Sequence, residues 1–83
     1  METRVALIGI IVESGESISK LNSILSQYGE YIIGRMGVPY QNKGMNIISV
    51  AVDAPQNITS TISGKIGALS GITAKTIYAG KNQ

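Results

Sequence analysis

Residues 3–12 read TRVALIGIIV, and the distribution of apolar side chains along them decides the fold. In an extended chain, successive side chains point to opposite faces. Val5, Leu7 and Ile11 therefore share one face, while Ala6, Ile8, Ile10 and Val12 share the other. A strand apolar on both faces is covered on both faces. The run Val5–Val12 is far short of the roughly 18 apolar residues a membrane span needs. It follows Glu2 and Arg4 rather than a basic leader, so neither a membrane anchor nor a signal peptide is expected.

Outward from this strand, Glu13–Ser14–Gly15–Glu16–Ser17 supplies a turn with capping side chains and acidic groups suited to a helix N-terminus. Ile18, Leu21, Ile24, Leu25 and Tyr28 then recur at helical spacing, and Gly29 is placed to end that helix. A second strand starts at about Tyr31, and Gln41–Asn42–Lys43–Gly44 has the polarity and terminal glycine of a hairpin loop. Met45–Asp53 makes a third strand. Asp53–Ala54–Pro55–Gln56 reads as a helix start, with Asp53 as the cap and Pro55 in the first turn. Ile58, Ile62, Ile66 and Leu69 form the second helical stripe, Ser70–Gly71 stops it, and Ile72–Tyr78 is a fourth strand. The order β-α-β-β-α-β predicts an α+β ferredoxin-like sandwich: a four-stranded antiparallel sheet with strands one and three in the middle and both helices on one face. Residues 1–83 are read as one domain.

At 8.7 kDa the chain buries only roughly 63% of its unfolded surface, so its core is thin. Small domains gain stability from disulfides, metals or partner subunits. Cysteine and histidine are both absent, which excludes disulfides and removes the best ligands for zinc, nickel or copper. The same absence removes the usual catalytic base and the strongest nucleophile. The five carboxylates are Glu2, Glu13, Glu16, Glu30 and Asp53. Glu13, Glu16 and Asp53 sit at element ends, where capping accounts for them, and no pair is set by spacing. Gly64-x-x-Gly67 lies in a helix, where close packing accounts for it. No catalytic residue, metal site or cofactor is expected. Seven Lys and Arg against five acids give a net charge of +2. The basic residues are scattered rather than clustered, which argues against direct nucleic-acid binding.

Both helices cover one face of the sheet, yet strands one and three carry apolar residues on the other. Four strands about 4.8 Å apart and about five residues long present roughly 300 Å² of sheet, near the largest apolar patch an ordinary monomer exposes. A second copy related by a two-fold axis is the expected cover. The second strand, YIIGRMGVPY over residues 31–40, contains two glycines three residues apart. Such glycines weaken a strand unless something approaches the backbone closely. One reading has Gly34 and Gly37 admitting a ligand or second chain, with Arg35, Met36 and Tyr40 beside it and Arg35 and Tyr40 gripping it. Alternation sends Arg35 to the face opposite Gly34 and Met36. The other reading is a bulge that twists the strand, with Pro39 blunting an exposed edge.

The segments VALIGIIVES (5–14), LSQYGEYIIGRMGVPYQNKGMNIISVAVDAP (25–55) and ISGKIGALSGITAK (62–75) together resemble the small regulators of the iron-only hydrogenase system. The most specific part runs from Tyr28 to Tyr40. The resemblance implies an ACT-like domain, similar to the C-terminal regulatory domain of nickel-responsive repressors. Such domains assemble through their sheets and bind small effectors, such as amino acids, at subunit interfaces. It also implies a role in hydrogenase regulation in an anaerobic bacterium, and the lack of a membrane-length apolar run or basic leader already reads as soluble and cytoplasmic. Nickel sensing does not carry over without His or Cys. Eighty-three residues leave no room for a DNA-binding domain, so a transcriptional effect would pass through a protein partner. The ACT-type ligand turn maps onto Glu13, Ser14 and Gly15. Two functions stay open: a non-catalytic, oligomeric regulatory module, and a structural assembly domain without a ligand.

Overall fold

The structure is a computed structural model that describes residues 2–80. Its elements are β1 (Arg4–Val12), α1 (Ile18–Gln27), β2 (Ile32–Tyr40), β3 (Met45–Ala54), α2 (Gln56–Gly67) and β4 (Ile72–Tyr78). The strands form one antiparallel sheet in the order β2-β3-β1-β4. This is the ferredoxin-like α+β arrangement, with the two richest apolar strands in the centre.

Alternation along β1 sorts the two faces. Ala6, Ile8, Ile10 and Val12 are buried, and their cross-strand partners Val52, Val50 and Ile48 are buried with them. Leu21 and Leu25 of α1 and Ile62 and Ile66 of α2 cover this side, and all four are buried. The helical stripes therefore do what their spacing predicts.

Local chemistry sets the element ends. The Ser14 hydroxyl accepts from the Glu16 amide (3.4 Å) at the head of a short turn leading into α1. Ser17, itself buried, donates its hydroxyl to the Ser70 carbonyl (2.9 Å), tying the start of α1 to the turn before β4. Gly71 closes that turn at φ +75°, a conformation that favours glycine. The 41–44 hairpin loop closes the same way, with Gly44 at φ +64°.

Three local expectations change. Gly29 does not end α1 in a left-handed conformation; Tyr28 caps it and a single tight turn, Gly29–Tyr31, leads to β2, which begins at Ile32. Asp53 does not cap α2. It is an exposed residue of β3, and Pro55 takes the cap position without a side-chain bond. Sheet pairing claims Asp53 because Val5 lies opposite it. Finally, Gly64 faces open space and Gly67 is only in ordinary contact with Ala74, so neither glycine marks a close helix approach.

Candidate functional site

The face of the sheet away from the helices has no cover among the described residues. Cross-strand partners in an antiparallel sheet point the same way, so the register lays out this face in rows. One row is Val38, Ile47, Ile11 and Thr73; the next is Met36, Ser49, Gly9 and Lys75; the third is Gly34, Ala51, Leu7 and Ile77. The exposed large apolar side chains are Val5, Leu7, Ile33, Met36, Val38, Tyr40, Ile47 and Ile77. All but Ile33 belong to this face. The four strands are 9, 9, 10 and 7 residues long, so the face projects about 550 Å² at ordinary sheet spacings, nearly twice the area expected from the sequence. Ala51, Gly34, Ser49 and Gly9 form a contiguous hollow in it, bordered by Leu7, Met36 and Ile47.

The sheet edges are guarded differently. On β2 the pairing slips between Ile32 and Gly34. Ile33 is the extra residue of this bulge, 63% exposed, and Pro39 removes one donor further along. On β4, Lys75 sits in mid-strand. A bulge, a proline and a lysine are the usual means of discouraging edge-to-edge pairing.

β2 also forms one wall of a shallow groove of about 350 Å³ on the helix side, lined by Ile18, Asn22, Arg35, Gly37, Pro39 and Asn46 among others. The Arg35 guanidinium donates to the Asn22 Oδ1 (3.3 Å). Alternation puts Arg35 opposite Val50, on the helix side, as expected, whereas Gly34 and Met36 lie on the open face.

The residues singled out in the sequence thus fall into three places. Gly34, Met36 and Tyr40 lie on the open face, and Arg35 and Gly37 line the groove. Arg35 and Tyr40 are on opposite sides of β2, so they are not brought together to grip one ligand. Glu13, Ser14 and Gly15 form the turn after β1, where the Glu13 amide donates to the Gly71 carbonyl (2.8 Å) and a side chain at Gly15 would meet open space. Asn22 and Asn46, which complete the groove, escaped sequence reasoning. Nothing in their spacing links a helix side chain to the start of a third strand.

Two other basic groups are engaged. Arg4 Nε donates to the Ala79 carbonyl (2.8 Å) and Nη1 to Gln56 (3.1 Å), and its guanidinium lies 5.0 Å from the Tyr78 ring centroid. The Lys65 ammonium lies 5.2 Å from that of Tyr28. Among the described residues there is no cluster of three metal-ligating side chains, and no helix is long and apolar enough to cross a membrane.

A family model described as "TM1266-like: Iron-only hydrogenase system regulator, putative" matches residues 4–76. The uncharacterized protein TM1266 from Thermotoga maritima superposes with a TM-score of 0.91 at 28% identity, covering 95% of this chain and 100% of that one. A formyltetrahydrofolate deformylase from Pseudomonas putida KT2440 shares the fold, with a TM-score of 0.64 at 12% identity over 95% of this chain. The chain spans 29% of the deformylase. No curated protein is significantly similar in sequence.

Proposed function

The chain belongs to the TM1266-like family of iron-only hydrogenase system regulators, and from that premise we propose that it is a non-catalytic regulatory module that works as an assembly of its own copies. The observation that carries this reading is the open face: seven of its side chains are large, apolar and exposed, with no helix over them. A specific interface removes about 800 Å² from each partner. A projected face of about 550 Å², raised by protruding side chains, is of that order. In a chain with so thin a core, covering it with a second copy adds substantially to the buried apolar surface.

The groove at Arg35 is the place for a small effector. A guanidinium with two neighbouring side-chain amides suits a carboxylate, such as that of an amino acid. The cations are dispersed over several surfaces rather than gathered into a footprint for nucleic acid. Regulation therefore runs through a protein partner.

Light scattering over a range of concentrations tests the assembly, with a mass of at least two chains expected; one chain at millimolar concentration refutes it. A thermal-shift panel of amino acids and other small carboxylates tests the effector. A binder raises the melting temperature with its occupancy, and Arg35→Ala abolishes that rise while changing stability by less than about 0.5 kcal/mol, because Arg35 is exposed. A panel without any shift reassigns the chain to an assembly role without a ligand.

A further inference from the structure

Resting on that self-association reading, we infer that two copies stack their open faces about a two-fold axis parallel to the strands, passing between β1 and β3, so that Ile77 and Leu7 of each copy settle over Gly34 and Ala51 of the other.

Only two axis directions make the faces overlap fully, because the centre of a β2-β3-β1-β4 sheet lies between β3 and β1. An axis perpendicular to the strands sends each row onto its mirror row and the middle row onto itself. Lys75 then meets Lys75 of the other copy, and Met36 meets Met36. Like charges opposed across an interface are strongly unfavourable. Large-on-small contacts arise about either axis, since this one would set Val38 over Gly34 and Ile47 over Ala51, so the opposed Lys75 side chains are what disfavour it.

An axis parallel to the strands exchanges β1 with β3 and β2 with β4 within each row. Leu7 then faces Ala51 and Ile77 faces Gly34, so each large side chain meets a small one. Lys75 falls over Met36, where its alkyl stem packs on the thioether and its ammonium reaches the rim. Ile11 meets Ile47, apolar on apolar. Strands stacked this way belong to the aligned class of sheet packing, with the layers about 10 Å apart.

Gly34 is the second observation. A Cβ added there would meet nothing in its own chain, and its φ is not in the left-handed region. Gly34 follows the bulge at Ile33, where glycine is common, but beyond that bulge no contact within the chain asks for it. The side chain of Ile77 from a partner does ask for it. Both sheet edges, meanwhile, carry the guards that discourage growth by strand addition, which leaves the face for association.

The absence of cysteine allows a direct test. A chain carrying Gly34→Cys and Ile77→Cys places its two thiols about 14 Å apart, three strands away from each other, too far to pair internally. Treated with a short bis-maleimide cross-linker, whose reach matches the roughly 10 Å between stacked sheets but not the internal separation, it is expected to form covalent dimers, while Met36→Cys alone stays uncoupled. Efficient coupling through Met36→Cys instead, without coupling in the double variant, overturns the parallel axis and installs the perpendicular one. Independently, Gly34→Val keeps the circular dichroism of the folded chain and weakens dimerisation at least about tenfold, since overpacking occurs twice per dimer; an unchanged dissociation constant overturns the inference. If the unmodified protein is monomeric, the self-association reading itself falls. If it is dimeric but these variants behave contrary to expectation, only the axis falls.

Discussion

Thr59 and Gly71 are the residues whose replacement is most informative about the fold. The Thr59 hydroxyl, on the inner face of α2, is fully buried with no hydrogen-bond partner. Leaving such a group unpaired costs about 1–3 kcal/mol, and removing it while keeping the shape recovers part of that. Thr59→Val is expected to stabilise the protein by about 1 kcal/mol, read as a higher urea midpoint at unchanged slope. Gly71 behaves in the opposite way. Its φ of +75° is unfavourable for any L side chain, and a Cβ there would lie 2.8 Å from the Cβ of Ser14. Gly71→Ala should cost about 2 kcal/mol, measurable by the same denaturation. A loss below about 0.5 kcal/mol would mean that this turn relaxes freely.

At the scale of elements, the sheet predicts its own pattern of protection. β1 and β3 are bonded on both sides, whereas β2 and β4 each have one free edge. Amides of β1 and β3 should exchange most slowly, and those of β2 near the Ile33 bulge at least about tenfold faster; amide exchange followed by NMR decides it. Most of this layout was legible in the residues themselves. The double-sided apolarity of residues 3–12 and 45–53, and the 3.6-residue stripes of the helices, were enough to order the elements. What was not legible came from competition between partners that a one-dimensional reading cannot rank. Asp53 has the chemistry of a helix cap, but pairing opposite Val5 holds it in the strand. Gly34, Arg35, Gly37 and Tyr40 are neighbours in sequence, yet the pleat divides them between two faces. The groove at Arg35 depends on Asn22 and Asn46, whose meeting is a tertiary event.

For the whole molecule, the proposed pairing would couple folding to association and make stability depend on amount. Each tenfold rise in protein concentration should add about 1.4 kcal/mol per dimer to the unfolding free energy, seen as a rising melting temperature. Ile47→Lys places a charge amid the open face, where Ile47 is 42% exposed. It should remove the concentration dependence while leaving the secondary structure intact. A melting temperature that is flat across two decades for the unmodified protein would contradict a paired state.

β2 is one backbone thick, and it is a wall shared by two rooms. On one side stand Arg35 and Gly37 at the groove; on the other stand Gly34 and Met36, where a neighbouring copy would rest. A molecule that shifted the guanidinium would push on this strand as well as on Asn22 of α1, and a neighbour that fixed the strand would also steady the guanidinium. The two occupancies are then tied by one coupling energy acting equally in both directions. A signal in such a molecule needs no hinge and no moving lid; it crosses the sheet through the alternation of a single strand.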